Sequence, residues 1–156
     1  MSNEQQIHNL MARYTHYVDQ ARFDKVGDLF ANGKIISSGN VMEGKLGVVS
    51  QLSKNLQVYA DGTLRTAHIT TNTVLDIQDD TNEATAVSYL TILQADAERG
   101  LSLQPIAAGS NHDTFKLVDG HWEFSVRELI ITLAGDLSHH AAPNTIDPQT
   151  IENQGT

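Results

Sequence analysis

From Ile7 the apolar positions Leu10, Met11, Tyr14, Tyr17 and Val18 return at helical spacing, which predicts an amphipathic helix over residues 4–19 with one buried stripe. Phe23, Val26, Leu29 and Phe30 repeat the pattern in a shorter helix, with Asp24 in its first turn and a left-handed exit expected at Asn32-Gly33. Residues 34–38 read as a short strand. A third helix over 44–59 is suggested by Leu46, Val49, Leu52 and Leu56. After Asp61-Gly62 the composition turns to Thr, Val, Ile and aromatics punctuated by turn residues, the pattern of antiparallel strands. Residues 79–82 separate strands at 67–77 and 84–95, and Asp119-Gly120 separates 111–118 from 121–133, so two hairpins are expected. Four or five strands this long must twist and curve, leaving a concave face for the helices to cover and a pocket between the layers. Residues 135–156 are polar, with Pro143 and Pro148, and read as an arm, flexible or packed on a neighbouring subunit, appended to a domain of residues 1–134.

The chain has 156 residues, of which 40% are hydrophobic and 19% charged, enough for one domain with its own core. Ten Lys and Arg against nineteen Asp and Glu leave a formal charge of −9, which repels phosphate backbones and anionic membrane surfaces. Neither nucleic acid nor membrane is expected as a partner. The absence of cysteine excludes disulfides, thiolate nucleophiles and cysteine-held metal clusters, so the chemistry falls to His, Asp, Glu, Tyr and Arg. No leader-like or membrane-spanning run stands out, and the chain is expected to be cytoplasmic. The glycine-rich phosphate loops, the Gly-x-Ser-x-Gly elbow and the helical His-x-x-x-His pair are all missing, so neither cofactor nor metal is expected.

Three residues break local rules. Asp19 falls where the first helix should end, a carboxylate at the negative end of the helix dipole, unfavourable by about 0.3–1 kcal/mol if exposed. On a regular helix it lies about 140° around from Tyr14, so a break near Val18 is expected if both are to face one cavity. His68 shares a strand face with Thr70 and Asn72, which suggests a wet cavity rather than a dry core. Arg127 alternates with Val126 on a largely apolar face with Ser125, Leu129 and Ile131, where a guanidinium needs an anionic partner.

The runs Met11-Ala12-Arg13-Tyr14-Thr15-His16-Tyr17-Val18-Asp19, Ala67-His68-Ile69-Thr70-Thr71-Asn72 and Asp119-Gly120-His121-Trp122-Glu123-Phe124-Ser125-Val126-Arg127 together resemble the SnoaL-like branch of the nuclear-transport-factor-like superfamily. The likeness covers residues 5–133. It implies an α+β, cone-shaped barrel: a strongly curved, mixed and mostly antiparallel sheet with the N-terminal helices over its concave face. That fold hosts dehydratases, dehydrochlorinases, ketosteroid isomerases, polyketide cyclases, dioxygenase small subunits and binding proteins. Residue by residue, Asp19 and His68 match the Asp–His dyad of the dehydratase branch, and Arg127 its last-strand arginine. Tyr14 is similar to the tyrosine of the bile-acid 7α-dehydratases, where the hexachlorocyclohexane dehydrochlorinases have lysine. His112 is a candidate for the second histidine of scytalone dehydratase. The resemblance therefore implies a cofactor-independent lyase or isomerase acting on an apolar, cyclic substrate. Tyr14, Asp19, His68 and Arg127 would be its catalytic residues, and Tyr17, Asn72, Tyr89, His112 and Leu129 its substrate contacts. The alternatives are a non-catalytic small-molecule-binding protein or a dioxygenase small subunit. Self-association, as a trimer or failing that a dimer, is expected as in the dehydratase relatives.

Overall fold

A computed structural model describes residues 1–143. Helix α1 (Asn3–Asp19) is capped by the Ser2 hydroxyl, which accepts from the Gln5 N–H, and buries Ile7, Leu10, Met11, Tyr14, Thr15 and Val18. It stays helical to its last residue, so the expected break near Val18 does not occur. Helix α2 (Phe23–Leu29) follows after a turn in which Ala21 is left-handed, at φ 53°. Gly33 is not the left-handed exit that its context suggested: its role is close approach, since a Cβ there would stand 2.4 Å from the Phe124 carbonyl oxygen. Strand β1 (Lys34–Ser37) turns through Ser38 and Gly39, both left-handed, into β2 (Asn40–Glu43), an element too short for alternation to reveal. Helix α3 (Gly44–Asn55) ends four residues before the expected 59 and buries Val48 and Leu52, while Leu46 faces outward at 85% exposure.

The long strands are β3 (Thr66–Gln78), β4 (Glu83–Asp96), β5 (Leu101–Val118) and β6 (His121–Ala134), with one turn of 3-10 helix, Ala97–Arg99, before β5. Both expected hairpins form, and β5 starts ten residues before the predicted 111. The sheet has six strands in the order β2-β1-β6-β5-β4-β3, with β1 parallel to β6 and every other pair antiparallel. It is curved but open, not a closed barrel, with β2 and β3 as its edges. Register shifts between Thr71 and Val74, between Ala108 and Gly109, and between Thr114 and Phe115 supply bends. At the second, a Cβ on Gly109 would lie 1.9 Å from the Ile130 carbonyl oxygen, so only glycine fits.

The larger apolar cluster joins all three helices to the sheet through Phe30, Ile35, Val48, Phe115, Trp122 and Phe124. A smaller one comprises Leu90, Ile92, Ile106 and Ala107, with Leu137 packed against it. Residues 135–143 lie on the chain's own body rather than extending as an arm. The His139 carbonyl accepts from the Tyr59 hydroxyl at 2.5 Å and from the Gln94 amide at 3.1 Å. The Gln57 N–H donates to the His140 carbonyl, and the Ala142 N–H to that of Asn55. The remainder of the predicted arm, 144–156, lies outside the described residues. Among the described residues no helix is long and apolar enough to cross a membrane.

Candidate functional site

Helix α1 lies across the concave face of the sheet, meeting β3 with one flank and β6 with the other. At its C-terminus Asp19 turns its carboxylate to the start of β3, where it accepts three hydrogen bonds. The Thr66 hydroxyl donates to Oδ1 at 2.7 Å, the His68 backbone N–H to Oδ2 at 2.9 Å, and His68 Nδ1 lies 2.5 Å from Oδ1. A carboxylate can only accept, so the ring proton belongs on Nδ1 and Nε2 is the lone-pair nitrogen of the neutral ring. Both side chains are largely shielded, at 6% exposure for His68 and 20% for Asp19. Burial by itself pushes the Asp19 carboxyl up, but the His68 ring, the backbone N–H and Thr66 together hold it below the usual aspartate range. The unfavourable dipole position of Asp19 is thus offset by donors from another element.

Arg127 is fully buried and makes the anionic contact its setting demanded. Asp113 on β5 takes Nε at 2.8 Å and Nη2 at 2.7 Å in a bidentate pair with both side chains at 0% exposure. Burial disfavours the guanidinium charge, but Asp113 more than restores it, and the Arg127 pKa is raised. Tyr14 lies with its ring 4.3 Å from the guanidinium carbon and edge-on to Phe30 and Phe124. Burial raises its phenol, with the Arg127 charge opposing, so Tyr14 remains a protonated donor at neutral pH.

A further histidine, His140, comes from the C-terminal segment, its ring 5.9 Å from that of His68. The residue keeps partial exposure, yet its Nδ1 is sealed from solvent and unpartnered. Burial, reinforced by the neighbouring His68 and opposed by Asp19, lowers its pKa to about 4.

Of the remaining residues predicted to contact substrate, Leu129 joins the two apolar clusters and Tyr17 packs at the edge of the larger one beneath the Arg22 guanidinium. The other three face outward. The bulge after Thr71 shifts the phase of β3, so Thr73 rather than Asn72 continues the His68–Thr70 face, and Asn72 is exposed with φ 54°. Tyr89 falls between the inward Ser88 and Leu90 and is 60% exposed on the convex face. His112 likewise alternates with the buried Asn111 and Asp113, and bonds Ser110 Oγ on the outside. The bulge at Phe115 also leaves Ser125 out of step, so Phe124 rather than Ser125 shares the inner face with Arg127.

Two surface clefts of about 440 Å³ each hold none of the catalytic candidates; one lies between the start of α1 and the β5–β6 turn. Among the described residues no three His, Asp or Glu side chains converge in a group suited to a metal ion.

The family model for the SnoaL-like domain matches residues 1–128. The chain belongs to the SnoaL-like family. Its fold is similar to that of a protein of unknown function from Nostoc punctiforme, at 20% identity and TM-score 0.71 over 86% of this chain and 95% of that one. An NTF2-like protein with a cystatin-like fold from Novosphingobium aromaticivorans gives 18% identity and TM-score 0.69 over 83% and 81%. A protein provisionally named scytalone dehydratase from the same organism gives 20% and 0.66 over 92% and 94%. At these identities the likeness establishes the fold. No curated protein gives a significant match.

Proposed function

We propose that the protein is a cofactor-independent lyase or isomerase in which His68 takes a carbon-bound proton from an apolar, cyclic substrate. The observation that carries this reading is the shielded Asp19–His68 contact, which leaves Nε2 as the basic nitrogen. Asp19 holds the tautomer and stabilises the imidazolium as the proton arrives. The leaving electrons move either to an adjacent carbonyl or to a departing hydroxyl, giving an enol or an alkene. Tyr14 donates to the oxygen that gains charge, while Arg127, anchored by Asp113, packs over the Tyr14 ring and holds it in place. SnoaL-like membership supports the coarse class and leaves the substrate open.

The test is a panel of cyclic hydroxy-ketones and steroids, with His68→Gln, Asp19→Asn and the double variant assayed on any substrate converted. Each single variant is expected to lose a factor of about 10² to 10⁴ in kcat, and the double to lose no more than the worse single, because the two residues act as a unit. Full activity in both single variants refutes the assignment and leaves a binding protein.

A further inference from the structure

The concave face of the sheet is not uniformly apolar. Between Ala84, Ala86 and Phe115 of the larger cluster and Leu90, Ile92 and Ala107 of the smaller runs a transverse polar band. Ser88 on β4 stands opposite Asn111 on β5, and two residues further along the same face of β5, Asp113 stands opposite Arg127 on β6. Ser88 and Asn111 are 1% exposed and Arg127 0%. Asp113 is satisfied, but Ser88 Oγ, both amide atoms of Asn111 and Nη1 of Arg127 have no hydrogen-bond partner. Thr70 Oγ1, two residues beyond His68 on the same face, is also unpartnered and extends the line toward the Asp19–His68 contact. A buried polar atom left without a partner is destabilising, and apolar residues of the same shape would carry no such cost. Four such atoms on three neighbouring side chains form one feature that needs a partner from outside the chain.

Resting on the reading of this interior as a ligand site, we propose that Ser88, Asn111 and Arg127 Nη1 bind a neutral oxygen function of the ligand, a ketone or a hydroxyl, and reject a carboxylate. Asn111 and Ser88 each offer a donor and an acceptor, and Nη1 adds a third donor group, so a ketone or a hydroxyl can be met in full. A carboxylate is served badly. The Arg127 fork is already filled by two bonds to Asp113, the pair sums to zero charge, and Asp19 adds a negative charge at the other end of the site. Nothing there offsets the cost of stripping water from an anion.

Fluorescence titration of the full chain at pH 7.5 with 2-naphthol, 2-naphthoate and naphthalene tests the assignment. 2-Naphthol is expected to bind at least about 10-fold more tightly than either other probe. Asn111→Leu and Ser88→Ala should each weaken it about 5-fold, the loss of one ordinary hydrogen bond, without weakening naphthalene. Both variants should unfold in urea at or above the wild-type midpoint, since each removes buried orphans. Equal affinity for 2-naphthol and naphthalene, a preference for naphthoate, parallel loss of both neutral probes in the variants, or no binding of any probe overturns the proposal. The readout is binding, and the same preference is expected in His68→Gln, so loss of turnover alone in that variant leaves this proposal standing. Loss of probe selectivity alone leaves the His68 assignment standing.

Discussion

His140 makes the stability of the C-terminal segment depend on pH in a calculable way. Its pKa is about 4 in the folded chain against an ordinary histidine value of about 6.5, so between those values the unfolded chain binds a proton that the folded chain refuses. Stability from this residue is therefore fully present above about pH 6.5 and is lost as pH falls toward 4. The linkage integral gives a loss of about 2 kcal/mol at pH 5 and about 3 kcal/mol at pH 4. Because the ring sits on a segment held by a few backbone hydrogen bonds, part of this loss should appear as local release of that segment before global unfolding. The assay is urea unfolding at pH 7.5 and pH 5 for wild type and His140→Gln, with hydrogen exchange at the Gln57 and Ala142 amides that bond the segment to α3 and its exit. Wild type should lose about 2 kcal/mol more than the variant across that interval, or its two amides should exchange faster at pH 5 once intrinsic rates are corrected. A wild-type loss matching that of the variant, with unchanged protection of both amides, refutes the reasoning.

Two further outcomes are expected. Gly109→Ala should cost about 1–3 kcal/mol or more, because its Cβ would meet the backbone of Ile130 and Ile131, whereas Gly47→Ala, with no atom nearer than 3.6 Å inside α3, should be neutral or stabilising in the same thermal melt. The convex face exposes Ile69, Val74, Val87 and Tyr89, and its burial against further copies of the chain should appear in sedimentation velocity as a trimer or dimer at micromolar concentration; a monomer, or an assembly unmoved by Tyr89→Asp, refutes that use of the face.

How much of this was legible depends on what carries each contact. Asp19 and His68 stand in runs whose neighbours follow helix and strand periods, and Arg127 in an apolar strand announces that an anion must be near. The anion itself did not show: Asp113 belongs to Asn111-His112-Asp113, which reads as three surface polars until the alternation of β5 puts the first and third inside. The predicted strand begins at 111, after Gly109, yet Gly109 lies inside β5 and lets two strands approach. Asn72 and Ser125 depart from the face that strict alternation predicts because a bulge inserts one residue and reverses the phase beyond it, which a period of two cannot foresee. The 135–143 segment was invisible for a different reason. Apart from Leu137, it is fastened mainly by its backbone carbonyls and amides, to Tyr59, Gln94, Gln57 and Asn55, and its other side chains are polar or small.

The curvature of the sheet also explains how Tyr14 and Asp19 serve one interior from a regular helix. Five residues separate them, about 140° around the helix and about 7.5 Å along it. An apolar stripe of the usual width is about 100°, so against a flat sheet one of the two would face solvent. Here β3 rises on one flank of α1 and β6 on the other, and each residue meets a different strand: Asp19 reaches the start of β3, and Tyr14 reaches Arg127 on β6. The polar band from Thr70 through Ser88 and Asn111 to Arg127 then crosses the floor between those two contacts. A ligand long enough to touch both His68 and Arg127 must lie along that band, with apolar cluster on either side of it. The bulges and the Gly109 contact that bend the sheet are therefore part of the site's geometry as well as of its packing. Flattening the sheet would separate His68 from Ser88, Asn111 and Arg127 without altering any of their side chains.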